Sequence, residues 1–101
     1  MRTLRNIHPG EVLKEEFLEP MGISVYRLSK ETGLSQTRIS QIVKGERSIT
    51  AETALKLGKF FDVPPEFWMN LQALYDIEEA QKRYKKDIES IHTFSDSKRA
   101  A

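Results

Sequence analysis

Residues Ser24 to Lys44 read SVYRLSKETGLSQTRISQIVK, and their spacing decides the fold. Ser24 and Ser35 each stand where a helix N-cap is needed, because a serine hydroxyl can accept one of the free N–H groups of a first turn. Gly33 stands where the first of the two helices must end in a left-handed residue. Two helices that cross closely around a tight turn need a small residue inside the first, and Ser29 supplies it, four residues before Gly33. Leu28 anchors the first helix, with Thr32 also pointing inward. Leu34, Ile39 and Ile42, with Val43, hold the second helix down along a narrow apolar stripe that Gly45 stops. The pattern predicts helices over about Ser24–Glu31 and Gln36–Val43, arranged as a helix-turn-helix.

The second of these helices then turns Gln36, Thr37, Ser40, Gln41 and Lys44 outward, with Arg38 near its start. Glutamine can pair bidentately with adenine, and arginine or lysine with guanine. An amide- and hydroxyl-rich face near a helix N-terminus suits base edges in a major groove. Ser24, Tyr26 and the Lys44–Thr50 loop, which carries Arg47, are placed for phosphates. The backbone amides after Ser24 and Ser35 add to that. Charge agrees: Arg27, Lys30, Arg38, Lys44 and Arg47 stand against Glu31 and Glu46 alone, while the whole chain carries a net charge of only +1. A locally basic segment in a nearly neutral chain is the footprint of a phosphate-binding surface.

Glycine and proline punctuate the rest into three more helical stretches. The first is expected over Pro9–Leu18, with Leu13 and Phe17 sharing a face and with Pro20 and Gly22 ending it. The fourth is expected over Ala51–Phe61, capped by Thr50, with Ile49 stapling to Ala54 and with Ala54, Leu57 and Phe61 facing inward. Val63, Pro64 and Pro65 break the chain, and a long fifth helix follows from about residue 65 to 91. Phe67, Leu71, Leu74, Ile77, Gln81, Tyr84, Ile88 and Ile91 follow a spacing of 4-3-3-4-3-4-3, close to a heptad seam. A core of this size cannot bury the whole seam, so its second half should pack against a partner or fray. The small, polar residues 93–101 are expected to be disordered. The fold class is therefore all-α: one domain over residues 1–92, five helices, the last extended.

The 101 residues suffice for one core. Hydrophobic content of 39% and charged content of 31% mark a globular chain. Cysteine is absent, which excludes disulfides, thiolate metal sites and cysteine nucleophiles. No stretch is long and apolar enough to span a bilayer. Arg2 and Arg5 are followed by Glu11, Glu15 and Glu16 rather than by an apolar run, unlike a signal peptide, so the cytoplasm is the expected location and no membrane partner is expected.

Other residues look chemical and are better explained otherwise. Glu11, Glu15 and Glu16 read as a solvated acidic face, able to dock a basic partner, rather than as an acid–base or metal cluster. His8 is expected to order the start of the first helix. No HExxH motif, Gly-rich phosphate loop or nucleophile elbow is present, so neither an enzyme nor a cofactor is expected. Phe67 and Tyr75 read as packing residues rather than base stackers, and Trp68, one position round from the seam, is expected at a dimer interface. Lys82, Arg83, Lys85 and Lys86 read as a solvated face, with a further phosphate contact or contact with a nucleic-acid-like partner surface as the alternative.

Three stretches carry a family resemblance: HPGEVLKEEFLEPMGIS at His8–Ser24, RLSKETGLSQTRISQIVKGERSIT at Arg27–Thr50, and TALKLGKFFDVPPEFWMNLQALYDIEEA at Thr53–Ala80. Together they resemble the HigA/VapI-type antitoxins, a branch of the lambda-repressor-like helix-turn-helix superfamily. HPGE with PEFWMNLQ is far more specific than a bare helix-turn-helix. Pro64, before PEFW, departs from the family's small or polar residue and Ser29 from its commoner alanine; beyond Ala80 the resemblance ends. It implies a five-helix repressor-like fold, a homodimer, a palindromic double-stranded operator upstream of its own operon, and a cognate HigB-like toxin, an mRNA endonuclease similar to RelE. It also implies base reading by Gln36, Thr37, Ser40 and Gln41, with Arg38 and Lys44 beside them. A stand-alone or phage-type repressor with no toxin is the alternative; a short basic reading frame next door would favour the antitoxin.

Overall fold

A computed structural model describes residues 5–95, and these are helical with no strand among them. The first helix, α1, runs from Pro9 to Met21 in three joined pieces: α-helical Pro9–Val12, π-helical Leu13–Leu18 and α-helical Glu19–Met21. The helices α2 (Val25–Thr32), α3 (Gln36–Val43), α4 (Ala51–Phe61), α5 (Pro65–Arg83) and α6 (Lys85–Glu89) follow.

Two helix ends differ from the sequence expectation. Pro20 lies inside α1 rather than ending it; the left-handed Gly22 (φ 65°) ends it. In a regular α-helix the Pro20 ring would strike the carbonyl of Glu16 and leave it without a donor. The wider π spacing just upstream, where Glu19 N–H donates to Lys14 C=O, opens that turn. The fifth helix is also not continuous to residue 91. Tyr84 departs from helical geometry (φ −110°, ψ 23°) and separates α5 from α6. The other ends fall where the caps put them. Ser24, Ser35 and Thr50 accept from the N–H of Arg27, Arg38 and Thr53 at 3.0, 3.0 and 3.4 Å, and Gly33 is left-handed at φ 80°. Residues 96–101 of the expected disordered tail lie outside the described residues.

The core joins Leu13 and Leu18 of α1, Leu28, Leu34, Ile39 and Ile42 of the helix-turn-helix, Ile49, Ala54 and Leu57, and Trp68 of α5. Trp68 is fully buried, which corrects its expected place at a dimer interface. Its ring lies 5.0 Å from Phe17 and 6.4 Å from Phe61, each partly buried. The reason is register: α5 turns Trp68 and Gln72 inward, one position round from the heptad seam, and Phe67 and Leu74 stay exposed. Leu28, Ile39, Ile42, Ala54 and Leu57 are buried as their spacing predicts. Thr32 is only half-buried; its hydroxyl donates to Leu28 C=O at 2.7 Å and accepts from Leu34 N–H at 3.2 Å, tying the turn of the motif.

Candidate nucleic-acid interface

The apolar stripe of α3 sets what its other side can do. Ile39 and Ile42 are buried, so Gln36 and Thr37 are carried into solvent and Ser40 and Gln41 onto a half-exposed flank. Lys44 and Arg47 lie exposed just beyond the helix. The structure thus brings Gln36, Thr37, Ser40, Gln41, Lys44 and Arg47 to one side of one short helix and its following turn. Gln41 is not loose there: its Oε1 accepts from Arg47 Nη1 at 3.0 Å. An amide oxygen has two lone pairs, so this bond orients the amide and leaves Nε2 and one acceptor position for a base edge.

Ser24 and Ser35 each accept one capping bond, and each hydroxyl keeps a proton to donate to a phosphate. Tyr26 is exposed on α2, with Lys30 Nζ 5.8 Å from its ring centre. Arg38 is the site residue the structure holds back. Its guanidinium donates to Glu52 Oε1 at 3.2 Å, across to the first turn of α4. Glu52 is also bonded to Lys56 at 2.8 Å. The two cations hold the Glu52 carboxyl below the usual carboxylate range, Lys56 most. One Arg38 N–H is taken by Glu52, and the other guanidinium donors are left for a phosphate.

Three supports of this surface lie outside the helix-turn-helix. Gly10 presses on the end of α3: a Cβ there would sit 1.7 Å from the Ile42 carbonyl oxygen. His8 caps α1 through Nδ1, which accepts from Gly10 N–H at 2.9 Å, while Glu11 accepts from His8 N–H at 3.3 Å. His8 is therefore where the sequence reading put it, at the start of the first helix. The same ring underlies the left-handed Gly45 and meets Tyr75 edge-on at 4.8 Å. Burial pushes the His8 pKa down, against the opposing pull of Glu11 and Asp76. Gln72, buried on α5, accepts from Ile49 N–H at 2.7 Å and donates to Asp76 at 2.9 Å, so α5 holds the loop that carries Arg47. The glycine after Pro9 and the lone amide on the inner face of α5 were the available signals.

Two short helices crossing at a glycine turn, the second held by its apolar stripe and presenting a polar flank, define a helix-turn-helix protein. The helix-turn-helix family model HTH_3 matches residues 14–68, more than half of the chain. Virulence-associated protein I of Dichelobacter nodosus is 46% identical over 76 residues, 75% of this chain and 70% of that one. An addiction module antidote protein of the HigA family from Coxiella burnetii superposes with a TM-score of 0.85 at 46% identity, over 90% of this chain and 100% of that one. The Pseudomonas aeruginosa antitoxin HigA, solved with the higBA promoter, gives 0.85 at 38% identity, over 89% and 99%. The chain belongs to the HTH_3 helix-turn-helix family, in its HigA/VapI-type branch.

Proposed function

We propose that this protein is an operator-binding antitoxin and autorepressor of a toxin–antitoxin module. The observation that carries the DNA-binding part is the outward flank of α3, where Gln36, Thr37, Ser40 and Gln41 stand over a helix pinned from behind by Ile39, Ile42 and Gly10. The relative solved on its own promoter supports the same use. A homodimer sets two α3 helices into successive major grooves of a palindromic site, about 34 Å apart. Lys44 and Arg47 contact phosphates, and Arg38 joins them with the donors that Glu52 does not take. A separate surface neutralises a HigB-like toxin, the mRNA endonuclease encoded beside it. The protein itself does no catalysis, needs no cofactor, and works in the cytoplasm. Among the described residues no helix is long and apolar enough to cross a membrane.

The test has two arms. Binding of DNA from upstream of the protein's own reading frame is compared with binding of shuffled DNA. Gln41→Ala should flatten the preference between the two, and Lys44→Ala should weaken both about equally and lower the salt slope by about 1. Equal losses on every sequence for both variants would overturn the division of roles. In the second arm the adjacent reading frame is expressed alone and with this protein. Growth arrest relieved by co-expression, with a stable complex, supports the antitoxin; harmless expression and no complex leaves a repressor without a toxin.

A further inference from the structure

Gln41 and Arg47 are tied to each other more closely than phosphate contact alone asks. The turn after α3 closes on Gln41 twice: Glu46 N–H donates to Gln41 C=O at 2.8 Å, and Arg47 Nη1 donates to Gln41 Oε1 at 3.0 Å. The left-handed Gly45 (φ 79°), whose N–H donates to Ile42 C=O at 3.0 Å, makes that turn. Beyond Arg47 the loop is fixed again, where Ile49 N–H donates to the buried Gln72. The segment that carries Arg47 is thus held on both sides, and its guanidinium is returned to the helix it follows. Arg47 also differs from Arg27 and Arg38, which pair with Glu31 and Glu52. Among the described residues Arg47 forms no ion pair, although Glu46 precedes it, and bonds a neutral amide instead.

The chemistry of that bond removes a choice. A glutamine amide accepts at its oxygen and donates at its nitrogen, and turning it end for end exchanges the two. Arginine has donors only and stays charged. Against Arg47 the Gln41 amide must therefore turn its oxygen, since the reverse would set N–H against N–H. Two Nε2 protons and one oxygen lone pair are left for a base. A purine edge fits that set: guanine presents the acceptors N7 and O6, and adenine presents N7 beside the N6 donor. Thymine presents O4. Cytosine presents only its N4 donor in the major groove, and would have to share an oxygen already bonded to a cation. Gln36, exposed near the start of the same helix, has no such brace.

We infer that Arg47 sets base preference through Gln41: it is a positioning residue that fixes the amide with its donors free, and so selects an acceptor-bearing base, a purine first, over cytosine at the position Gln41 reads. This rests on the operator-reading role proposed for α3 and deepens it. One guanidinium N–H goes to Gln41 and the others stay available for a phosphate, so backbone grip and base choice meet in one side chain. The amide is also ordered before DNA arrives, and less rotamer freedom is lost on binding.

The test uses full-length protein and duplexes from upstream of its own reading frame, titrated at one fixed salt concentration. Each of the four base pairs is placed in turn at the position where Gln41→Ala loses its preference. Wild-type protein should disfavour cytosine there by roughly tenfold, the lower part of the range for one good side-chain contact. Arg47→Ala should lose most of that discrimination while keeping the preference at positions unaffected by Gln41→Ala, and should melt at the wild-type temperature. In a Gln41→Ala background, Arg47→Ala should weaken all four base pairs equally, leaving only the phosphate part. Losses from Arg47→Ala that are equal on all four base pairs with Gln41 present would overturn the inference and leave Arg47 a phosphate contact. A second readout needs no DNA. The side-chain amide of Gln41 should be more rigid than that of Gln36 by nitrogen relaxation, and Arg47→Ala should erase the difference; two equally mobile amides in the wild type would overturn the brace. Wild-type protein that binds upstream and shuffled DNA alike would overturn the operator reading, and this inference with it. A wild type that discriminates no better than Arg47→Ala at the Gln41 position, yet prefers upstream DNA, would overturn the inference alone.

Discussion

Gly10 and His8 show how much of the α3 surface rests on residues that lie beneath it. Gly10→Ala sets a methyl group against the Ile42 carbonyl. It should cost about 3 kcal/mol of stability, the scale of overpacking in a rigid site. Operator affinity should fall with it, measured by thermal melts and by titration of DNA at a temperature where the variant is folded. A melt unchanged within error would show that α1 does not press on α3. His8 makes a pH prediction. Its folded pKa is lowered by burial, so the unfolded chain takes up the proton first. The stabilisation is complete above about pH 6.5 and is lost as pH falls below it. Wild-type melting temperature should therefore drop between pH 7.5 and 5.5 by more than that of His8→Asn, whose amide can still cap α1. Parallel curves would place the acid sensitivity elsewhere. The place of His8 at the start of the first helix was readable beforehand; the role of Gly10 was not. Proline and glycine announce a helix start, but the contact that makes Gly10 irreplaceable is with residues some thirty positions away.

At the level of elements, the caps and the 3.6-residue stripes were enough to bound α3 and α4 correctly, because serine, threonine and glycine act locally. Ser35→Ala should cost about 1 kcal/mol, seen in a denaturant titration, with the loss falling on the start of α3. A null effect would mean that Ser35 Oγ does not cap α3. Where the sequence misled, a non-local cause was at work. Pro20 usually stops a helix, yet the π turns ahead of it let α1 continue to Gly22. The heptad seam was read correctly as more than one chain could bury, while Trp68 was assigned to the wrong side because the intramolecular core claims the neighbouring stripe of α5. Of the candidate DNA-binding residues, the outward set on α3 followed from periodicity alone. The tie of Arg38 to Glu52 and the brace from Arg47 to Gln41 depend on loop geometry that no spacing rule contains.

Across the whole molecule, one core joins five of the six helices, with Trp68 at its centre. Trp68 emission should be blue-shifted in the folded state and should change in a single transition that coincides with the loss of helical circular dichroism. Its midpoint should rise with protein concentration for the homodimer of the proposed function. A concentration-independent midpoint would argue for a monomer. The division of labour on α3 has a further result. Ile39 and Ile42 carry the packing, and Gln36, Thr37 and Gln41 carry none of the buried core. Substitutions on the outer flank are therefore nearly free of folding cost. A genome that holds several such modules can drift one copy's target away from another's by exchanging a handful of side chains. Sister regulators can in this way become mutually deaf while their scaffolds stay interchangeable.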